Sequence, residues 1–220
     1  MIHDARSPLL TWAWSSYVRW KLRRTFRGLW VRGALPADEP VVLYANHTNF
    51  WDGFVGHAVV EAAGRVGYAM MEEQNLARFR FLRRLGAFSV RRGSASSARE
   101  SLRHAGKLLR GAGATVLIFP QGKLEPFSAP FELERGAELL ARWAKVRCVP
   151  MAIRYAMFEH EAPDVLVALG EAHAAIDTGE MAARLDALRG SLVSVTRPAE
   201  LTLQLPGRRS VAEPLGEVAA

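Results

Sequence analysis

Cys148 is the only cysteine among 220 residues. No disulfide can form within the chain, and a cysteine-based zinc site is excluded. Cys148 falls in an apolar, strand-like run, 146–153, and reads as a core thiol. The lack of disulfides is compatible with a reducing cytoplasm. Long apolar runs are missing as well. No segment offers the roughly 18 uncharged apolar residues of a spanning helix, so any membrane contact is expected at the surface. The N-terminus has no basic start followed by an apolar stretch, and no signal peptide is expected. No glycine-rich phosphate loop is present; Gly111-Ala112-Gly113 precedes a strand pattern and reads as a turn. No cluster of histidine, cysteine and carboxylate residues suggests a metal site. His57 reads as a packed helix residue, and His104, His160 and His173 stand in no partner pattern.

Acid is scarce in two places. Before Gly33 the only acid is Asp4, against seven basic residues. From Arg78 to Arg103 the only acid is Glu100, against eight arginines. The formal net charge is +7. Clustering of this kind points to a directed basic face and an anionic partner: a membrane surface, a phosphorylated substrate or nucleic acid.

Half of the residues are hydrophobic, which is enough for one ordinary globular domain with a real core. Residues 8–31 read as a helix in which Trp12, Trp14, Tyr17, Trp20 and Trp30 interleave with arginines and Lys21. Tryptophan and tyrosine suit the headgroup level of a bilayer, and arginine stems lie along apolar surface while their heads reach phosphate. An interfacial amphipathic helix over residues 1–32 is expected, with Ser15 and Ser16 as possible weak points. A domain over 33–205 and a tail over 206–220 follow. In the domain, strand patterns at 41–45, 67–71, 86–90, 114–119, 147–155 and 165–169 alternate with helical ones at 53–63, 72–85, 94–110, 131–145 and 177–196. Pro150 places an edge or a bulge in the fifth of these strands. The alternation argues for an α/β layered domain with a largely parallel mixed sheet flanked by helices.

Ligand sites in such sheets gather at the carboxyl ends of strands. Three stretches begin there: residues 46–52, Arg91-Arg92, and Pro120-Gln121-Gly122-Lys123. His47 and Asp52 are five positions apart, about 140° around a regular helix, and would not meet on one. They meet if His47 lies in the turn and Asp52 in the first helical turn. The carboxylate then fixes the histidine tautomer, and the other ring nitrogen can take a proton from a hydroxyl.

Asn46-His47-Thr48-Asn49-Phe50-Trp51-Asp52 resembles the N-H-x4-D block of the glycerolipid acyltransferases, the 1-acylglycerol-3-phosphate acyltransferase (PlsC-like) family. Three further stretches are similar to that family's blocks, in order: residues 86–92, Phe119-Pro120-Gln121-Gly122-Lys123-Leu124, and Val149-Pro150-Met151-Ala152-Ile153. The resemblance covers about residues 41–155. It implies one-step O-acyl transfer with His47 as general base and Asp52 as its orienter. The donor would be acyl-CoA or acyl carrier protein, with no cofactor, and the acceptor a lyso-lipid, 1-acylglycerol-3-phosphate first. Arg92 would bind the acceptor's phosphate, with Arg91 the adjacent alternative, and Gly122 and nearby amides could hold the oxyanion. The resemblance also implies a place in phospholipid synthesis and a peripheral position on the cytoplasmic face of the membrane, with no nucleic acid as partner. The third block departs from its usual Phe-Pro-Glu-Gly-Thr-Arg: Gln121 stands for glutamate, Lys123 for threonine and Leu124 for arginine. That leaves open another lyso-lipid, a glycolipid or a carotenoid glycoside as acceptor. A non-catalytic binder of anionic lipid or nucleic acid is the competing reading from another class.

Overall fold

Eight strands form one sheet in the computed structural model, which describes residues 1–91, 93–130 and 132–209. In chain order they are β1 (Gly28–Arg32), β2 (Val41–Ala45), β3 (Val66–Glu72), β4 (Ala87–Val90), β5 (Ala114–Ile118), β6 (Arg147–Ala156), β7 (Asp164–Leu169) and β8 (Thr202–Pro206). Their spatial order is β4-β3-β5-β2-β6-β7-β1-β8. Only β6–β7 and β1–β8 pair antiparallel. The other neighbours run parallel, as strand–helix alternation requires.

The helices are α1 (Pro8–Thr25), α2 (Asp52–Ala62), α3 (Glu73–Arg78), α4 (Ala95–Leu108), α5 (Gly136–Ala144) and α6 (Thr178–Val193). β2 shows why two layers form. All five of its residues are fully buried, so both faces must be covered. Val41, Leu43 and Ala45 join Val18 and Leu22 of α1 and Val55 and Val59 of α2 in one core. Val42 and Tyr44 join Ala105 of α4, Leu140 of α5 and Leu185 of α6 in the other. Each buried valine or leucine contributes roughly 1.5–3 kcal/mol.

The structure corrects the sequence reading in several places. The first helix stops at Thr25 and not at 31, because Phe26 turns extended and residues 28–32 pair with β7 and β8. Trp30 belongs to that strand, where its indole N–H donates to the buried Asp164 Oδ1 at 2.7 Å. Ser15 and Ser16 do not split α1; Ser15 is buried and its Oγ lies 2.9 Å from His57 Nε2. The helix expected over 131–145 begins at Gly136, since the segment before it turns back and Glu134 N–H donates to Pro120 O at 2.7 Å.

Pro150 lies in a central strand and not at an edge. Its missing N–H falls where the β6–β7 ladder has ended. That ladder begins at Met151–Leu169, while Cys148 pairs separately with His173. Gly170 fills the gap and donates to Pro150 O at 2.9 Å. A Cβ on Gly170 would come 2.6 Å from the proline ring, so glycine is needed there. β8 lies in the stretch after Pro198 for which no element was expected, and most of the expected tail, 210–220, lies outside the described residues.

Candidate active site

β2 ends at Ala45, and the next side chain fixes how the chain leaves the sheet. Asn46 is buried; its Nδ2 donates to Ile153 O at 2.9 Å and its Oδ1 accepts from Ile153 N at 2.7 Å. A side-chain amide thus imitates one more rung of the β2–β6 ladder. Residues 47–51 then turn into α2. Asn49 Oδ1 accepts from Trp51 N–H at 2.8 Å, an Asx turn that starts the helix.

Within this turn His47 Nδ1 lies 2.9 Å from Asp52 Oδ2. Asp52 opens α2 and is fully buried. Its Oδ2 also accepts from the backbone N–H groups of Thr48, at 2.5 Å, and Asn49, at 2.9 Å. Its Oδ1 accepts from the Tyr155 hydroxyl at 2.8 Å. A buried carboxylate needs such donors, and the helix N-terminus adds its own positive end. A carboxylate so held only accepts, so in the neutral ring the histidine proton sits on Nδ1 and Nε2 is the acceptor. Nε2 has no partner among the described residues, and the side chain is 27% exposed. The ring stacks on Phe119, with centroids 4.2 Å apart and an interplanar angle of 17°. Burial, with the Asp52 charge beside it, holds the Tyr155 phenol far above its usual range, so it stays a donor.

The loop after β5 supports the same turn. Gln121 Oε1 accepts from the His47 backbone N–H at 2.6 Å, and Gln121 Nε2 donates to Glu125 Oε2 at 2.7 Å. Glu125 N–H donates to the His47 carbonyl at 2.9 Å. Lys123 Nζ reaches Glu125 Oε1 at 2.9 Å. Hydrogen bonds from Lys123 and then Gln121 hold the Glu125 carboxyl below the usual range. Gly122 has φ +67°, in the left-handed region that favours glycine, and its N–H donates to Phe119 O at 3.0 Å.

The residues singled out in the sequence are thus only partly brought together. His47, Asp52, Gln121, Gly122 and Lys123 share the ends of β2 and β5. Gln121 and Lys123 face His47's own backbone and Glu125. Arg91 follows β4, three strands from β2, about 14 Å at the usual spacing. Its guanidinium meets Glu73 Oε1 at 2.5 Å, and that ion pair holds the Glu73 carboxyl below its usual range. Arg92 lies outside the described residues. Sequence reasoning missed Tyr155 and Phe119 as parts of the site. Both stand at the carboxyl ends of strands adjacent to β2, which was the available signal. Among the described residues no group of three or more His, Cys, Asp or Glu could hold a metal ion.

Residues 30–154 match the family model described as Acyltransferase, more than half of the chain. The chain belongs to the acyltransferase family. Its fold is similar to the crystal structure of the 1-acyl-sn-glycerophosphate (LPA) acyltransferase PlsC from Thermotoga maritima. The TM-score is 0.64 at 16% identity, over 84% of this chain and 80% of that one. A comparison with proteins of curated function finds no significant match. The acyltransferase family's match spans β1 to β6 and so contains the His47 turn, the Gln121 loop and all but the last two residues of β6.

Proposed function

We propose that this acyltransferase moves a fatty acyl group from acyl-CoA or acyl carrier protein to the hydroxyl of a lyso-lipid, 1-acylglycerol-3-phosphate first among them, in phospholipid synthesis. The observation that carries the proposal is the buried, fully hydrogen-bonded Asp52 holding Nδ1 of His47 while Nε2 stays open. The acceptor hydroxyl gives its proton to Nε2 as its oxygen attacks the thioester carbonyl. The C–O bond forms, the C–S bond breaks, and the proton passes from His47 to the departing thiolate. A thiol of pKa about 8.5 leaves readily, so no covalent enzyme intermediate is needed. Arg92 is the acceptor's phosphate ligand by similarity; Arg91, the alternative, is paired with Glu73 and follows β4, three strands from β2. An oxyanion donor at Gly122 requires its N–H to turn from Phe119.

The helix α1 holds the enzyme on the cytoplasmic membrane surface. It buries only Ser15, Val18 and Leu22 and turns Trp12 and Trp20 outward. Among the described residues no helix is long and apolar enough to cross a membrane.

One observation favours a second acceptor. In the loop after β5, the one cation beside Gln121, Lys123, is paired with Glu125 and so is already engaged by an acid. A lyso-lipid with another head group, a glycolipid or a carotenoid glycoside fits that loop. The deciding experiment supplies the purified protein with labelled acyl-CoA and acyl carrier protein and a panel of these acceptors. Thiol release and labelled product are followed. His47→Ala is expected to lose about 10²–10⁴-fold in turnover, and full turnover by a folded His47→Ala protein would overturn the assignment.

A further inference from the structure

Most of the large hydrophobic side chains left exposed lie on α1, in the His47 turn, or at residues 79–81. Phe50 is 68% exposed, Phe79 42% and Phe81 52%. These are not scattered. Trp14 of α1 touches both Phe81 and Phe54, with centroids 5.6 and 5.5 Å apart, and Phe54 touches Phe50 at 5.2 Å. An aromatic band therefore runs from α1 across the start of α2 to the turn that carries the base, and sideways to residues 79–81.

The sideways arm has its own structure. Helix α3 breaks at Phe79, and Arg80–Leu85 continues as a 3₁₀ helix. Phe79 stands at the break and Phe81 in the 3₁₀ turn after it, and both rings are exposed. The N-terminal segment ties it down, since Ala5 N–H donates to Arg83 O and Ser7 N–H to Arg84 O. Arg78 lies over the Phe79 ring at 5.4 Å. Arg78, Arg80 and Arg84 are exposed and form no ion pair among the described residues. Residues 77–94 contain no acid at all, and neither does α1. Unpaired arginines around exposed rings fit one partner, an anionic bilayer surface: rings enter the headgroup layer and guanidinium groups meet phosphate.

We propose that Phe79 and Phe81, framed by Arg78, Arg80 and Arg84, form a second membrane contact beside α1, and that the two contacts together lay Phe50 and the His47 turn against anionic lipid. The inference rests on the membrane reading of α1. One contact on a single helix leaves the domain free to rotate about it. Two contacts fix which edge of the sheet meets the lipid, so the acceptor hydroxyl reaches His47 without its chain leaving the bilayer.

The test uses the full chain. Cys148 is buried and its thiol is pushed up to about 12 by burial, so one added cysteine takes a polarity-sensitive fluorophore selectively. Phe79→Cys carries the probe at the proposed contact, and Ala183→Cys, exposed on α6 across the sheet, carries the control. Expected are a blue shift at position 79 on vesicles of phosphatidylcholine with phosphatidylglycerol, none on phosphatidylcholine alone, and none at 183. The double variant Phe79→Ser/Phe81→Ser should bind the anionic vesicles at least about tenfold less. It should keep its melting temperature and its turnover of a dispersed short-chain acceptor. An unshifted probe at 79, with vesicle binding lost only on changing Trp12 and Trp20 of α1, overturns the second contact and leaves the α1 reading standing. Failure of the unaltered protein to sediment with any vesicle overturns both. Acyl transfer to the dispersed acceptor is measured separately and reports on the chemistry alone.

Discussion

The backbone N–H of His47 donates to Gln121 Oε1 at 2.6 Å. The amide that stands where the related block has an acid therefore holds the His47 backbone in place. Its second group is engaged as well, with Nε2 on Glu125. A neutral amide joins a backbone donor to a carboxylate acceptor, which a carboxylate at position 121 could not do.

Gln121→Leu leaves the His47 N–H and one Glu125 oxygen without partners. An unsatisfied buried donor costs about 1–3 kcal/mol. The melting temperature should fall accordingly, and kcat should fall about tenfold or more through misplacement of the His47 ring. Gln121→Glu should do worse near neutral pH than in mild acid, because it sets two carboxylates against each other until one is protonated. Parallel kcat–pH profiles for Gln121→Glu and the unaltered protein would contradict this.

Tyr155→Phe removes one of the hydrogen bonds to Asp52 and leaves those from Thr48 and Asn49. A hydrogen bond to a charged group is worth about 1.5–3 kcal/mol. The variant should fold, lose activity by roughly tenfold, and keep its KM for the acyl donor. Asp52→Asn should lose far more, because the amide cannot hold the same histidine tautomer. Equal losses in the two variants would show that Tyr155 does more than hold the carboxylate.

His57 and His173 both have pKa values lowered by burial. His57 bonds Ser15 of α1, and His173 Nε2 lies 3.0 Å from the Tyr44 hydroxyl. A folded-state pKa below the unfolded value means the unfolded chain binds more protons in that range. Stability is therefore complete above the unfolded histidine value, about 6.5, and declines as pH falls through it. Thermal melts from pH 8 to pH 5 should show that decline, and His57→Gln with His173→Gln should flatten it.

Arg65 sits at the other end of the sheet. It donates to the carbonyls of Pro36, Ala37, Glu39 and Ala114 and to Thr115 Oγ1. Arg65→Met should cost about 2–4 kcal/mol by stranding these acceptors. Turnover per folded molecule should not change. Loss of turnover at full folding would mean that the amino end of the sheet communicates with the carboxyl end.

Much of the layered architecture was legible because its signals are local. Val41 to Ala45 reads as a doubly covered strand, and the five-residue spacing of His47 and Asp52 demanded a turn that Asn46 and Asn49 then build. What was hidden depends on partners distant in sequence. Trp30 looks helical until Asp164, far along the chain, takes its N–H. Pro150 reads as an edge or a bulge, and only Gly170 shows that it sits in a central strand beside a break in the ladder. Tyr155 carries no motif, and its role comes from ending the strand next to β2. Gln121 could be seen as a departure from the block, but only its geometry shows which neighbour it serves.

The sheet separates two cores that share no side chain. Leu43 and its companions belong to the face of α1 and α2, while Tyr44 belongs to that of α4, α5 and α6. The chain is in this sense two-sided, with α1 and the entry to α2 on one side and α4, α5 and α6 on the other. Tags, tethers or stabilising changes on the α5–α6 side can alter how long the molecule survives without altering what it does.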